Sequence, residues 1–185
     1  MRAIASWIIV ILCTGFFTAC SSSGSKSSGA LAAEKRLLGT EVQDSIALAK
    51  SRDRGIHRFF DVSAGYAVFP TISKGGLIIG GAHGEGQLFE KGKLIGATEL
   101  SQGTFGLQAG GQTYSEFIFF KDVIALNKFK RGEFEFSGQA SAVAVDAGAS
   151  ADIDYESGVL VFTMAKSGLM LEASIGGQQF DYWAY

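Results

Sequence analysis

Few residues in this chain could do chemistry. It has two histidines, His57 and His83, and two cysteines, Cys13 and Cys20. Both cysteines precede residue 21, so the histidines have no thiolate companion in the remaining chain, and a metal cluster would need carboxylates brought from afar. No metal is assigned. The run Gly81-Ala82-His83-Gly84-Glu85-Gly86 has some of the glycine spacing of a phosphate-cradling loop. Phe89 stands where a third glycine is required, and a strand-like stretch follows in place of a helix. With no helix N-terminus to meet a phosphate, these glycines are read as serving a tight turn and close backbone approach. His83 and Glu85 would share a face only if one strand ran through both. Gly84 predicts a turn, so a base with its orienting carboxylate is not expected. Residues 152–158 begin like a calcium loop, but Ser157 occupies the glycine position and Thr163 the place of the bidentate glutamate. Acids alternating on the solvent face of a strand is the expected structure there. No serine outside the polar linker sits in a Gly-x-Ser-x-Gly elbow. The inventory predicts neither an enzyme nor a cofactor.

Cys20 has a different chemistry. Met1 and Arg2 form a short positive region, residues 3–17 are almost wholly apolar, and Thr18 and Ala19 are small. This pattern predicts a signal peptide over residues 1–19. The apolar run falls short of the roughly 20 residues a spanning helix needs, which argues against a retained anchor. The run Phe17-Thr18-Ala19-Cys20 resembles a bacterial lipobox, with Phe17 where leucine is usual. That resemblance implies a lipidated Cys20 as the mature N-terminus; ordinary cleavage and release is the alternative. By the same resemblance, Ser21, which is not an aspartate, implies sorting to an outer membrane facing the periplasm. Residues 21–29 hold six serines, two glycines and one lysine. They cannot bury apolar surface and predict a flexible tether over 20–29, with a root-mean-square span of roughly 15–18 Å.

The remaining chain, 30–185, is long enough for one domain. Hydrophobic residues make up 47% and charged residues 18%, so it should fold. Lys and Arg number 16 against 18 Asp and Glu, which leaves no global basic field to draw in nucleic acid. From residue 30, Leu31, Leu38, Val42, Ile46, Ala49 and Ile56 recur at helical spacings. Gly39 interrupts them, and Thr40 with Gln43 could form a capping box, so one kinked helix or two are expected, ending near Gly55. Lys50, Arg52, Arg54 and Arg58 crowd its end. They suit the helix dipole, and they are also candidates for contact with anionic lipid.

From residue 66 the pattern is short apolar runs punctuated by glycine. Strands are expected at 66–69, 77–81, 87–89, 93–97, 104–109, 114–120, 133–137, 140–145, 159–164, 169–173 and 180–183. Turns are expected at Lys74-Gly75-Gly76, Gly84-Glu85-Gly86 and Lys91-Gly92, making Gly75, Gly76, Gly84 and Gly86 structural glycines. A helix is expected between Lys121 and Arg131, with Val123, Leu126 and Phe129 on one side and Gly132 as its stop. These elements predict an α+β fold, mainly antiparallel β, as a Gly-rich sheet or barrel-like domain. A membrane-spanning barrel is disfavoured, because most runs are shorter than the roughly 9–11 residues that cross a bilayer.

The stretches 65–70 and 74–86, with Gly106-Leu107-Gln108-Ala109-Gly110-Gly111, Ser115-Glu116-Phe117-Ile118-Phe119-Phe120 and Lys166-Ser167-Gly168-Leu169, resemble the signature of the SYLF domain. This is a lipid-binding family, also described through a yeast actin-binding member. The resemblance covers roughly residues 31–185. It implies a compact β-rich fold with an N-terminal helix and, in eukaryotic members, phosphoinositide binding through a basic amphipathic segment. Ala97, Thr98 and Glu99 stand where the eukaryotic pattern has a tryptophan. The expected function is a membrane-anchored, non-catalytic module against phospholipid, with Lys50, Arg52, Arg54 and Arg58 as lipid-contacting candidates. The alternatives are a structural envelope protein that binds another protein, and an enzyme with an unrecognised site.

Overall fold

Alternation along the β segments and glycine at their close approaches produce one strongly curled sheet. The computed structural model describes residues 28–76, 79–105, 110–134, 136, 142–167 and 177–185. Helix α1 (Ser28–Arg52) is followed by a short 3-10 turn (Arg54–Ile56) and α2 (His57–Val62). Strands β1 (Gly65–Gly76), β2 (Ile79–Glu90), β3 (Lys93–Phe105) and β4 (Gly110–Phe120) come next, then α3 (Val123–Lys130), β5 (Val143–Ala144), β6 (Val159–Ser167) and β7 (Gln178–Ala184). The sheet order is β5-β6-β4-β1-β2-β3-β7, antiparallel throughout except for the β5–β6 pair. The α+β, mainly antiparallel architecture expected from the sequence is the one observed. No helix among the described residues is long and apolar enough to cross a membrane. The leader, Cys20, most of the tether and the strand expected at 169–173 lie outside the described residues.

Each face of the sheet has its own core. On the concave face Ala67, Phe69, Ile72, Leu88, Leu100, Ile118, Phe120 and Phe180 meet, and α3 plugs one end with Leu126 and Phe129. On the other face Val42, Ile46 and Ala49 of α1, with Ile56, Phe59 and Phe60, cover Val68, Phe117, Phe119 and Phe162. Both sets belong to the same strands because neighbouring side chains point to opposite faces. Pro70 lies in the central strand β1, where it is tolerated because the pairing slips there: register shifts fall between Val68 and Thr71 against β2, and between Phe69 and Ile72 against β4. The slip lets Phe69 and Ile72, three apart, both enter the concave core. Ser115 Oγ donates to the Pro70 carbonyl at 2.6 Å.

The curl is visible in contacts. In the sheet β7 lies four places from β4, about 19 Å away if the sheet were flat. Yet Gln178 of β7 donates to Glu116 of β4 at 3.0 Å, and the Phe180 ring is 5.9 Å from that of Phe69.

Several sequence expectations are corrected. Helix α1 runs unbroken through Gly39 and does not restart at Thr40, whose hydroxyl donates to the Arg36 carbonyl. Burial of Val42, Ile46 and Ala49 outweighs the cost of about 1 kcal/mol for one helical glycine. The helix begins at Ser28, which shortens the tether expected over 20–29. Lys74-Gly75-Gly76 and Gly84-Glu85-Gly86 are not turns but parts of β1 and β2. Residues 133–134 and 136 form no strand; Phe134 and Phe136 instead stack edge to face at 4.9 Å beside Phe129 and Phe180. The strand expected at 140–145 reduces to Val143–Ala144 among the described residues, and residues 152–155 form no strand. Val123 does not join Leu126 and Phe129 but is 49% exposed, because Asp122 caps α3 and the buried face is completed by Ala125. The Lys91-Gly92 turn is as expected, with φ of 50° and 75° at its two central residues.

Candidate functional site

The glycines expected to be structural divide by position. Gly84 and Gly86 face the concave core from β2, opposite the slipped part of β1. A β-carbon at Gly86 would lie 2.6 Å from the Val68 carbonyl oxygen and 2.7 Å from the Phe69 ring; one at Gly84 would lie 2.7 Å from Ile72 Cγ1. Neither has a positive φ, so their role is close approach, not a turn. Gly75 faces open space, and Gly76 has a φ of 154°. Because β2 runs straight through residues 83–85, His83 and Glu85 do lie on one strand. His83 pairs across to Glu99 of β3, Nδ1 to Oε1 3.5 Å, on the solvent side.

The four basic candidates are differently engaged. Lys50 is half-buried with Nζ 4.6 Å over the Phe60 ring. Arg58 stacks at 4.6 Å over Phe59 and donates through Nη2 to the Ser150 and Ile153 carbonyls at 2.7 and 2.8 Å. It braces the segment after β5. Arg52 and Arg54 are exposed. The same joint holds a buried carboxylate that the sequence did not flag. Asp53 accepts from the backbone N–H of Gly55 at 2.9 Å and of Ser150 at 2.8 Å. Burial pushes its carboxyl up, but donation from Ser150, Gly55 and Gly148 overrides this and holds it below the usual range.

The N-terminal half of α1 lies against the sheet only loosely. Leu31 and Leu37 are 51% and 66% exposed, and every α1 residue buried against the domain is at Val42 or beyond. Grooves flank this half on both sides. One of about 610 Å³ is lined by Ala33, Leu37, Leu38, Pro70 and His83, the other of about 720 Å³ by Ala32, Lys35, Gln43, Phe89 and Leu94. At the far sheet edge Trp183 and Tyr185 are about half exposed, with Lys35 Nζ 3.0 Å over the Tyr185 ring.

A second polar group missed in the sequence lies inside the curl. Glu116 is fully buried, and burial pushes its carboxyl up to about 8 despite the hydrogen bond from Gln178. Tyr114, on the same face, is likewise pushed up, first by burial and then by Glu116, with Gln178 opposing. A signal was present: Glu116 shares the parity of Tyr114, Ile118 and Phe120, which places one acid on an apolar face. No group of three or more His, Cys, Asp or Glu side chains converges among the described residues. Asp152, Asp154 and Glu156 are exposed.

No family model matches the chain. It is similar to the protein named Beta cell expansion factor A of Aeromonas veronii, at 29% identity over 126 residues, covering 67% of this chain and 47% of that protein. The chain thus spans about half the length of the curated relative it matches.

Proposed function

We propose that the chain is a membrane-anchored, SYLF-like lipoprotein, held to the outer membrane through Cys20 and facing the periplasm, whose single domain lies non-catalytically against phospholipid. The observation that carries this reading is the exposed N-terminal half of α1. Seven residues, 21–27, separate Cys20 from Ser28, so even fully extended they hold the start of α1 within about 29 Å of an acyl anchor. Leu31 and Leu37 are exposed there, Leu37 at the wall of one groove, and they are the first large side chains the bilayer would meet. Burying a leucine contributes roughly 1.5–3 kcal/mol, which is sufficient once an anchor supplies about millimolar local concentration. The SYLF-like glycine pattern supports the reading from the sequence side, since Gly84 and Gly86 have a packing role that a merely flexible loop would not give them.

Of the four basic candidates, Arg52 and Arg54 are those left for headgroups. The test is sedimentation of the non-acylated Cys20→Ser chain with phosphatidylglycerol and phosphatidylcholine vesicles. Leu31→Ser with Leu37→Ser should weaken binding to both. Arg52→Ala with Arg54→Ala should weaken binding only to the anionic vesicles, by about 2 kcal/mol or roughly thirtyfold, and salt should do the same. A chain that sediments with neither vesicle at low salt overturns the reading. In that case the exposed Trp183 and Tyr185 at the β7 edge favour a protein partner in the envelope.

A further inference from the structure

Among the described residues, the curled sheet holds one acid in its interior and no counter-charge beside it. Against Glu116, β4 itself contributes Tyr114, β6 presents Thr163 directly opposite, β1 presents Phe69, and β7 presents Gln178, which pairs in register with Gln102 of β3. Lys74 lies on the same face of β1 as Ile72, farther along, half-buried and pushed down by that burial, and it adds nothing to the charge balance at Glu116. Tyr114 is thus the one titratable neighbour among the described residues. The pair itself is half satisfied. Gln178 Nε2 donates to Glu116 Oε2, while Glu116 Oε1 and Gln178 Oε1 are both buried acceptors without a hydrogen-bond partner among the described residues. A carboxyl and a primary amide are complementary in two hydrogen bonds when the carboxyl is neutral and in only one when it is ionised. A proton on Glu116 Oε1 turns one orphan acceptor into the donor that the other lacks.

We propose that Glu116 and Gln178 form a proton-dependent clasp across the interior of the sheet, closed when the Glu116 carboxyl is neutral, and that loosening of the β7 limb releases that proton to solvent. The placement makes this a clasp and not just another core contact. It joins β4 to β7, strands four places apart, one step along the strands from the aromatic plug of α3, where Phe129 and Phe180 stack at 5.0 Å. The sign follows from linkage. The closed state binds the proton up to about pH 8, while an opened Glu116 titrates near the ordinary 4.5. Each pH unit between these limits therefore favours opening up to tenfold, and the effect levels off above about 8.

Hydrogen exchange by mass spectrometry on the full chain in detergent, corrected for the base-catalysed intrinsic rate, tests this between pH 5.5 and 8.5. Protection of the β7 peptide should fall several-fold to tenfold per pH unit and then level. The same peptide in Glu116→Gln, whose amide can supply the missing donor at any pH, should be flat. Peptides from β1 serve as an internal reference and should change much less. If Glu116→Gln does not fold, carbon NMR of the wild-type side chain decides alone: a Glu116 carboxyl still neutral at pH 6.5 supports the clasp, and an ionised one overturns it. A β7 slope absent in wild type, shared with Glu116→Gln, or shared equally by β1 also overturns it.

Discussion

Replacing Gly86 by alanine adds one methyl group, and the structure fixes what it meets. The new carbon would sit 2.6 Å from the Val68 carbonyl oxygen and 2.7 and 3.1 Å from two atoms of the Phe69 ring, where ordinary contact begins at 3.4 Å. The shortfall is largest against a backbone atom in the neighbouring strand, which cannot rotate away. Strands β1 and β2 must therefore separate by several tenths of an ångström or the Phe69 ring must leave its place against Phe180. Overpacking of this kind costs about 1–3 kcal/mol, and the double contact argues for about 3. Removing a glycine from a strand returns roughly 0.5–1 kcal/mol, so the net loss should be about 2 kcal/mol. For a domain of this size that lowers the melting temperature by about 4–8 °C. Gly75→Ala is the matched control, since nothing lies within 4 Å of its β-carbon position. It should leave the melting temperature unchanged or raise it slightly. Thermal melts followed by far-UV circular dichroism decide between them. If Gly75→Ala destabilises as much as Gly86→Ala, or Gly86→Ala melts with wild type, close approach is not what these glycines provide.

Asp53→Asn should cost about 1.5–3 kcal/mol at pH 7, because a carboxylate accepting two backbone N–H groups is replaced by a neutral amide. The folded carboxyl is held below 3.8, so its contribution is present above that value and lost as pH falls further; urea melts of wild type and variant should converge in acid. Arg58→Ala should leave the Ser150 and Ile153 carbonyls without their brace, and limited proteolysis should cut residues 146–155 faster than in wild type. Lys91→Asn should raise the melting temperature by about 1–3 °C, since both turn residues have positive φ and asparagine tolerates it better than lysine. Cys20→Ala should abolish incorporation of labelled fatty acid, and continued labelling would rule out the anchor.

Where structure depends on neighbours in the chain, the sequence determined it. Asp122 accepts from the Ala125 N–H and Gly132 takes φ of 66°, so both ends of α3 follow from residues a few places apart. The Lys91-Gly92 hairpin and the alternation of Tyr114 to Phe120 are equally local, and together they made the α+β class legible. Tertiary structure decided what depends on the opposing surface. Gly84 and Gly86 read as a turn in the sequence, and the bulk of Phe69 and Ile72 on another strand makes them a close approach within β2. Arg58 reads as a helix-end charge, but its carbonyl partners are 92 and 95 residues away. Glu116 stands out on its apolar face, yet its partner Gln178 is 62 residues on and four strands across. Whether the two meet depends on the curl of the sheet, which accumulates small rotations between successive strand pairs and is encoded by no single segment.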